Sequence, residues 1–258
     1  MDVLEPKGSG YVGKHGADFM FFNDLWSQII NLQYDQDGSV FLIDWYNKKQ
    51  CHNNDPKAHD QANGRIFKVV YGDTKTTRVD LQKLGSAELV KLQLSPNDWW
   101  VRHARRVLQE RGPDAEVHAA LAKMLAENPE PTRKLRALWA LHATGGLSEN
   151  IALTALQDKD EHVRAWAIQL LCEDGKASEA ARTAFARLAR EDASPVVRLY
   201  LASAVQRIAP EQRRDIAAAL HSSLSSSLTP RPTRPANSTI SKPIRVKRRT
   251  FTSNGPRL

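Results

Sequence analysis

Val163-Arg164-Ala165-Trp166-Ala167-Ile168-Gln169-Leu170 carries apolar side chains at helical spacing and opens on an apolar residue followed by arginine. The same opening stands at Val101-Arg102-His103-Ala104-Arg105-Arg106-Val107-Leu108, at Leu135-Arg136-Ala137-Leu138-Trp139-Ala140-Leu141 and at Val197-Arg198-Leu199-Tyr200-Leu201-Ala202. The four starts are separated by 34, 28 and 34 residues. A recurrence of about thirty residues is that of repeats in which each unit is a helix pair, unable to bury its apolar face except against its neighbours. Room for a partner helix precedes each of these segments, over residues 86–93, 113–127, 147–157 and 177–191. Breakers separate them: Ser95-Pro96-Asn97-Asp98, Asn128-Pro129-Glu130-Pro131, Asp158-Lys159-Asp160 and Asp192-Ala193-Ser194-Pro195. Several place Asp or Ser where a side-chain oxygen can cap the next helix. Pro210 opens a last helix expected to run to about Leu220.

Residues 81–220 are therefore expected to form a HEAT-type α-solenoid. Leu138, Leu141, Ala167, Leu170 and Leu201 recur on the apolar face of successive inner helices and are expected to share one continuous core.

Residues 1–80 have a different period. Residues 18–23, with Phe19, Met20, Phe21 and Phe22, form a short apolar run that could be a strand. A second strand fits residues 27–34, and Asp35-Gln36-Asp37-Gly38 supplies a turn in which Gly38 can take positive φ. Ser39-Val40-Phe41-Leu42-Ile43-Asp44-Trp45-Tyr46 is nearly continuous in apolarity, so its pattern predicts a strand buried on both faces. A long polar stretch leads to a last strand at Gly64-Arg65-Ile66-Phe67-Lys68-Val69-Val70-Tyr71. Three or four antiparallel strands would make one small sheet, which buries too little to be stable without a covering surface. The expected fold class is α+β, mostly α: a small antiparallel sheet over residues 1–80, the solenoid over 81–220, and a tail over 221–258.

The net charge of +8 resides in that tail. Residues 221–258 hold eight of the 37 lysines and arginines and no acid, which leaves 29 basic against 29 acidic residues in the rest of the chain. Nothing in residues 1–220 thus points to a groove for specific nucleic acid. The tail, rich in Ser, Thr, Pro and Arg, is expected to stay disordered and to contact polyanions only weakly and with steep salt dependence. No run of 18 apolar residues is present, so no transmembrane segment is expected, and residues 1–6 carry no basic and apolar signal pattern. Cys51 and Cys172, in regions of different type, are read as free thiols.

Candidate sites are few. His15, Asp44, His52, His59 and Asp60 have metal-ligand chemistry, but their spacing matches no metal template, and Asp44 at a strand end suits hydrogen bonding to loop amides. Cys51-His52 lacks the first cysteine of a Cys-x-x-Cys-His haem site, because Lys48 stands there. Arg102, Arg136, Arg164 and Arg198 recur in register. They could form a basic ladder for a partner, or hold acids and helix-end carbonyls of neighbouring repeats; the second reading is the stronger, since stacked repeats meet alike. Trp99 and Trp100 could anchor a protein partner or seal the junction between sheet and helices. No catalytic set is complete in the sequence.

The segment Asp35-Gln36-Asp37-Gly38-Ser39-Val40-Phe41-Leu42-Ile43-Asp44-Trp45-Tyr46, with Cys51-His52-Asn53 and Asn63-Gly64-Arg65-Ile66-Phe67-Lys68-Val69-Val70-Tyr71, resembles the last propeller blade of a family of membrane-bound dehydrogenase-like proteins from planctomycete-type bacteria. Leu94-Ser95-Pro96-Asn97-Asp98-Trp99-Trp100-Val101-Arg102 resembles that family's first HEAT helix pair, and Gly8-Ser9-Gly10-Tyr11-Val12-Gly13-Lys14-His15-Gly16 a preceding loop. The resemblance covers about residues 5–215. It implies a modular protein, exported or periplasmic at full length, with a β-propeller similar to soluble sugar dehydrogenases, then HEAT repeats, then a haem c domain. Neither the earlier blades nor the haem motif occurs here, so no cofactor is expected in this chain. The expected function is that of a fragment without activity of its own that serves as an interaction module. The competing expectation is a free-standing scaffold whose solenoid face binds a protein.

Overall fold

The structure, a computed structural model, describes residues 2–49, 54, 55, 57, 63–74 and 78–227, with side chains described as far as 222. Cys51, His52, His59, Asp60 and the tail beyond 227 lie outside the described residues. Helices account for about 52% of the chain, so the molecule is mostly α with a small antiparallel β part.

Strands β1 (Asp2–Lys7) and β2 (Gly10–His15) form a hairpin, turned at Gly8 with φ of 60°. Strands β3 (Ile29–Tyr34), β4 (Val40–Asp44) and β5 (Arg65–Val69) form a separate antiparallel sheet in the order β3-β4-β5. One expected sheet is thus two. Residues 18–23 are not a strand: Asn23 adopts a φ of 52°, which breaks an extended run, and Phe22 turns onto Phe67 at 5.3 Å between ring centroids. The expectation that β4 is buried on both faces also fails. Leu42 and Asp44 are buried, but Phe41 and Ile43 alternate with them and are exposed, so among the described residues the strand is covered on one face only.

The helices are α1 (Ser86–Lys91), α2 (Asp98–Arg111), α3 (Ala115–Glu127), α4 (Pro131–Ala143), α5 (Glu149–Ala155), α6 (Glu161–Leu170), α7 (Glu179–Glu191), α8 (Pro195–Arg207) and α9 (Arg214–Ser227). Two starts follow the expected Asp and Ser caps, at Asp160 and Ser194; Asn97 caps α2 as well, and α4 starts at Pro131 without a side-chain cap bond. Asn97 accepts from the Trp99 amide at 2.9 Å, Asp160 from His162 and Val163, and Ser194 from Val196 and Val197. Helix α9 runs past the boundary expected at Leu220.

Helices α2, α4, α6 and α8 pack in succession as an inner row, while α1 lies on α3 and α7 on α9. The core runs through the whole stack, with Leu121, Leu138, Leu141, Ile168, Phe185 and Leu201 fully buried. Leu170 is the exception among the expected core residues. It is half-buried, and Ile168 holds the central position instead. The short spacing of 28 residues shows as a short α5, seven residues against thirteen in α3 and α7. Grooves lined by Leu125, Ile151 and Thr154 on one side, and by Leu153, Thr183 and Ala184 on the other, flank it. Gly146 admits the His118 ring where a Cβ would come within 2.3 Å of it, and His118 Nε2 lies 3.1 Å from the Thr144 carbonyl. That contact ties α3 to the end of α4.

Candidate functional site

The β3–β4 turn sits on the start of α2. The Asn97 side-chain amide donates to the Asp35 and Gln36 carbonyls at 3.1 Å each, while its carbonyl oxygen caps the helix. Trp100 Nε1 donates to the Gln36 carbonyl at 3.0 Å. Trp100 therefore seals the junction of sheet and helices, one of the two roles expected for the tryptophan pair. Trp99 packs edge-on against Trp100, with 5.0 Å between centroids, and stacks on His103 at 4.1 Å.

Beside this junction lies a cleft of about 810 Å³ between β3 and α2. One wall is Asn31, Leu32, Gln33, Tyr34 and Phe41; the other is Trp99, Arg102, His103, Arg105 and Arg106. Arg102 donates to the Tyr34 hydroxyl at 3.2 Å, and the same hydroxyl donates to Asp98 at 3.2 Å. Arg106 pairs with Glu110 at 2.8 Å. Arg105 is held differently. Its Nη1 is buried with no hydrogen-bond partner among the described residues, and its guanidinium lies 5.7 Å from the centroid of the Trp139 ring. Burial pushes the Arg105 pKa below its ordinary value, Asp98 opposes this, and the positive charges of Arg102 and Arg136 add to it.

The arginine series divides. Arg136 donates to the Ser95 carbonyl at 2.8 Å and to Asp98 at 2.9 Å. Arg164 grips Asp192 with two bonds, at 2.8 and 2.9 Å, and also donates to the Asp158 and Lys159 carbonyls. Arg198 donates to the Ala193 carbonyl. Arg136 and Arg164 tie neighbouring repeats together, Arg198 holds the loop before its own helix, and Arg102 lines the cleft.

Asp44 is a structural carboxylate. Its Oδ1 accepts from the amides of Gln28 at 2.7 Å and Tyr46 at 3.0 Å, and its Oδ2 accepts two bonds from Arg65, at 2.7 and 2.9 Å. Burial pushes its pKa up, but the bonds from Gln28, Arg65 and Tyr46 outweigh this and hold it below the usual carboxylate range. His15 is apart from it on the exposed hairpin, against Asp2 at 3.2 Å. Among the described residues no group of three or more His, Cys, Asp or Glu is placed to hold a metal ion. The buried Cys172 is free, and its thiol pKa is pushed up chiefly by burial.

A second feature runs along the inner row. The Trp139 and Trp166 rings meet edge-on at 5.1 Å, and Trp166 meets Tyr200 at 6.3 Å. The three rings, on α4, α6 and α8, are half-buried. The sequence reading missed Arg105, Tyr34 and this row. The signal for Arg105 was present: within Val101-Arg102-His103-Ala104-Arg105-Arg106-Val107-Leu108 it sits one turn from both Val101 and Leu108, at the flank of the buried face.

No protein-family model matches the chain, and a search of curated proteins finds no match.

Proposed function

We propose that this chain is a protein-interaction module: a HEAT-type helical stack joined to a β segment that forms one blade of a larger propeller. It belongs to an exported, dehydrogenase-like protein and is not catalytic by itself. One observation carries the reading. Of the large apolar side chains left exposed among the described residues, all but Leu199 lie between Val3 and Tyr71. Leu32, Ile43, Ile66, Phe21 and Tyr71 are among them. Those in the sheet lie on both of its faces, Leu32 on one and Ile43 with Ile66 on the other, and exposed apolar surface of this extent is the mark of faces that other elements cover. Flanking blades would cover both faces of β3-β4-β5, as the stack cannot.

The test is dye binding and sedimentation of the whole chain. The chain should bind a hydrophobic dye and self-associate on concentration, and Leu32→Lys, Ile43→Lys and Ile66→Lys together should suppress both. A dye-silent monomer at all concentrations would contradict the reading. The gene context offers a second check, since blade-like repeats encoded ahead of Met1 are expected.

The alternative reading, a free-standing scaffold, draws on the row Trp139–Trp166–Tyr200. Half-exposed aromatics on successive inner helices are the residue types that anchor protein partners. Trp166→Ala would then abolish capture of a partner while leaving dye binding unchanged.

A further inference from the structure

We propose that the cleft between β3 and α2 takes an extended acidic peptide segment, which adds as a strand to the free edge of β3 and sets its carboxylates against Arg102, Arg105 and Arg106. This deepens the interaction-module reading and rests on it.

The backbone is the first ground. Among the described residues β3 pairs with β4 alone. The Asp35 amide donates to the Ser39 carbonyl at 2.8 Å, and Tyr34 stands opposite Val40. Antiparallel alternation then turns the N–H and C=O groups of Leu32 and Tyr34 away from β4, toward the open edge. These two residues line the cleft. An incoming strand would find main-chain partners at every second residue and pockets for alternate side chains.

Charge is the second ground. The helix wall presents three arginines, and the acids near them are engaged. Asp98 is held by Arg136 and Tyr34, Asp35 by Lys68 at 3.0 Å, and Glu110 by Arg106. Arg105 keeps a buried donor without an acceptor. An unpaired donor on a half-buried guanidinium is costly, and an added carboxylate beside that guanidinium offsets part of the cost. Carboxylates on one side of the segment would face α2, while apolar side chains on the other would extend the opposite face of the sheet. The volume lies within the range of clefts that hold a ligand.

The probe is a blocked octapeptide of alternating Glu and Val, titrated into the whole chain and followed by amide NMR. Shifts are expected at the amides of Leu32 and Tyr34 and at the Trp99 indole. A Lys-Val peptide should bind about tenfold more weakly or less, as like charges repel. The Glu-Val peptide carrying N-methyl groups at alternate amides should lose the Leu32 and Tyr34 shifts. Arg105→Gln should weaken binding about tenfold, Arg105→Lys should restore part of it, and Arg187→Gln on the outer face should change nothing. Helical circular dichroism confirms that each variant is folded; if Arg105→Gln unfolds the stack, Arg102→Gln with Arg106→Gln serves in its place. Equal binding of the N-methylated peptide would overturn strand addition, and equal binding of the Lys-Val peptide or of the arginine variants would overturn the charge assignment. No peptide binding alongside intact dye binding would overturn this proposal and leave the module reading standing. Peptide binding by a dye-silent monomer would do the reverse.

Discussion

The helical stack and the β region both carry many apolar side chains but use them differently. In the stack the apolar face of each inner helix meets its neighbours, so Leu121, Leu138, Ile168, Phe185 and Leu201 are fully buried. In the β region alternation sends half of each strand to a second face, where side chains such as Ile43 stay exposed among the described residues. Leu42 is buried while Ile43, its neighbour, is exposed. A solenoid-like stack supplies its own covering surface with every repeat, whereas a small sheet must borrow one.

Four substitutions would break or sharpen this contrast. Phe185→Ala should cost the stack about 3–5 kcal/mol, the range for deleting a buried aromatic ring, in urea unfolding followed by helical circular dichroism. A cost below about 1 kcal/mol would mean that the stack is as loosely covered as the sheet. Asp44→Ala should destabilise β3-β4-β5 by about 2 kcal/mol. That is less than the ~3–5 of a wholly buried pair, because Arg65 keeps Asp24 at 3.2 Å and is 37% exposed. The same carboxylate sets a pH dependence. Its folded pKa is depressed, so its contribution is complete above the unfolded carboxylate's value of about 3.9 and is lost as pH falls through the lower, folded value. In acid titration Asp44→Ala should therefore flatten the loss of sheet amide signals, and an unchanged profile would assign that loss to other carboxylates.

Leu170→Ala should cost on the order of 1 kcal/mol, well under the 2–5 of a fully buried leucine; a full loss would place Leu170 in the core after all. Ile66→Thr, at a side chain 73% exposed, should change stability by less than about 0.5 kcal/mol while lowering self-association. A larger destabilisation would show that the sheet face is already covered within the chain.

Much of this was legible in the sequence. The apolar-Arg openings phased the inner helices, Asp160 and Ser194 became the caps of α6 and α8, and the spacing of 28 residues became the short α5. The junction role of the tryptophan pair and the loop-amide role of Asp44 were also readable, because both follow from local position. What stayed hidden depends on distant partners. The β1–β2 hairpin has no apolar alternation to announce it, and its side chains are exposed throughout. Apolarity of β4 could not reveal that only one of its faces is covered. The position of Arg105 at the flank of the buried face was readable, but the cleft it lines is made only when the sheet is placed beside α2. Leu170 was misassigned by helix phase: it is half-buried, flanked by the fully buried Ile168 and Cys172 two residues to either side.

The most direct test of an unfinished β region beside a self-sufficient stack is native-state amide hydrogen exchange on the whole chain, read residue by residue. Amides in α2, α4, α6 and α8 are expected to exchange only through a large, shared opening, and amides in β3, β4 and β5 through a separate opening of much lower free energy. Equal protection in both regions, with a common dependence on denaturant, would mean that sheet and stack fold as one complete unit and would contradict the reading of this chain as a module awaiting its cover.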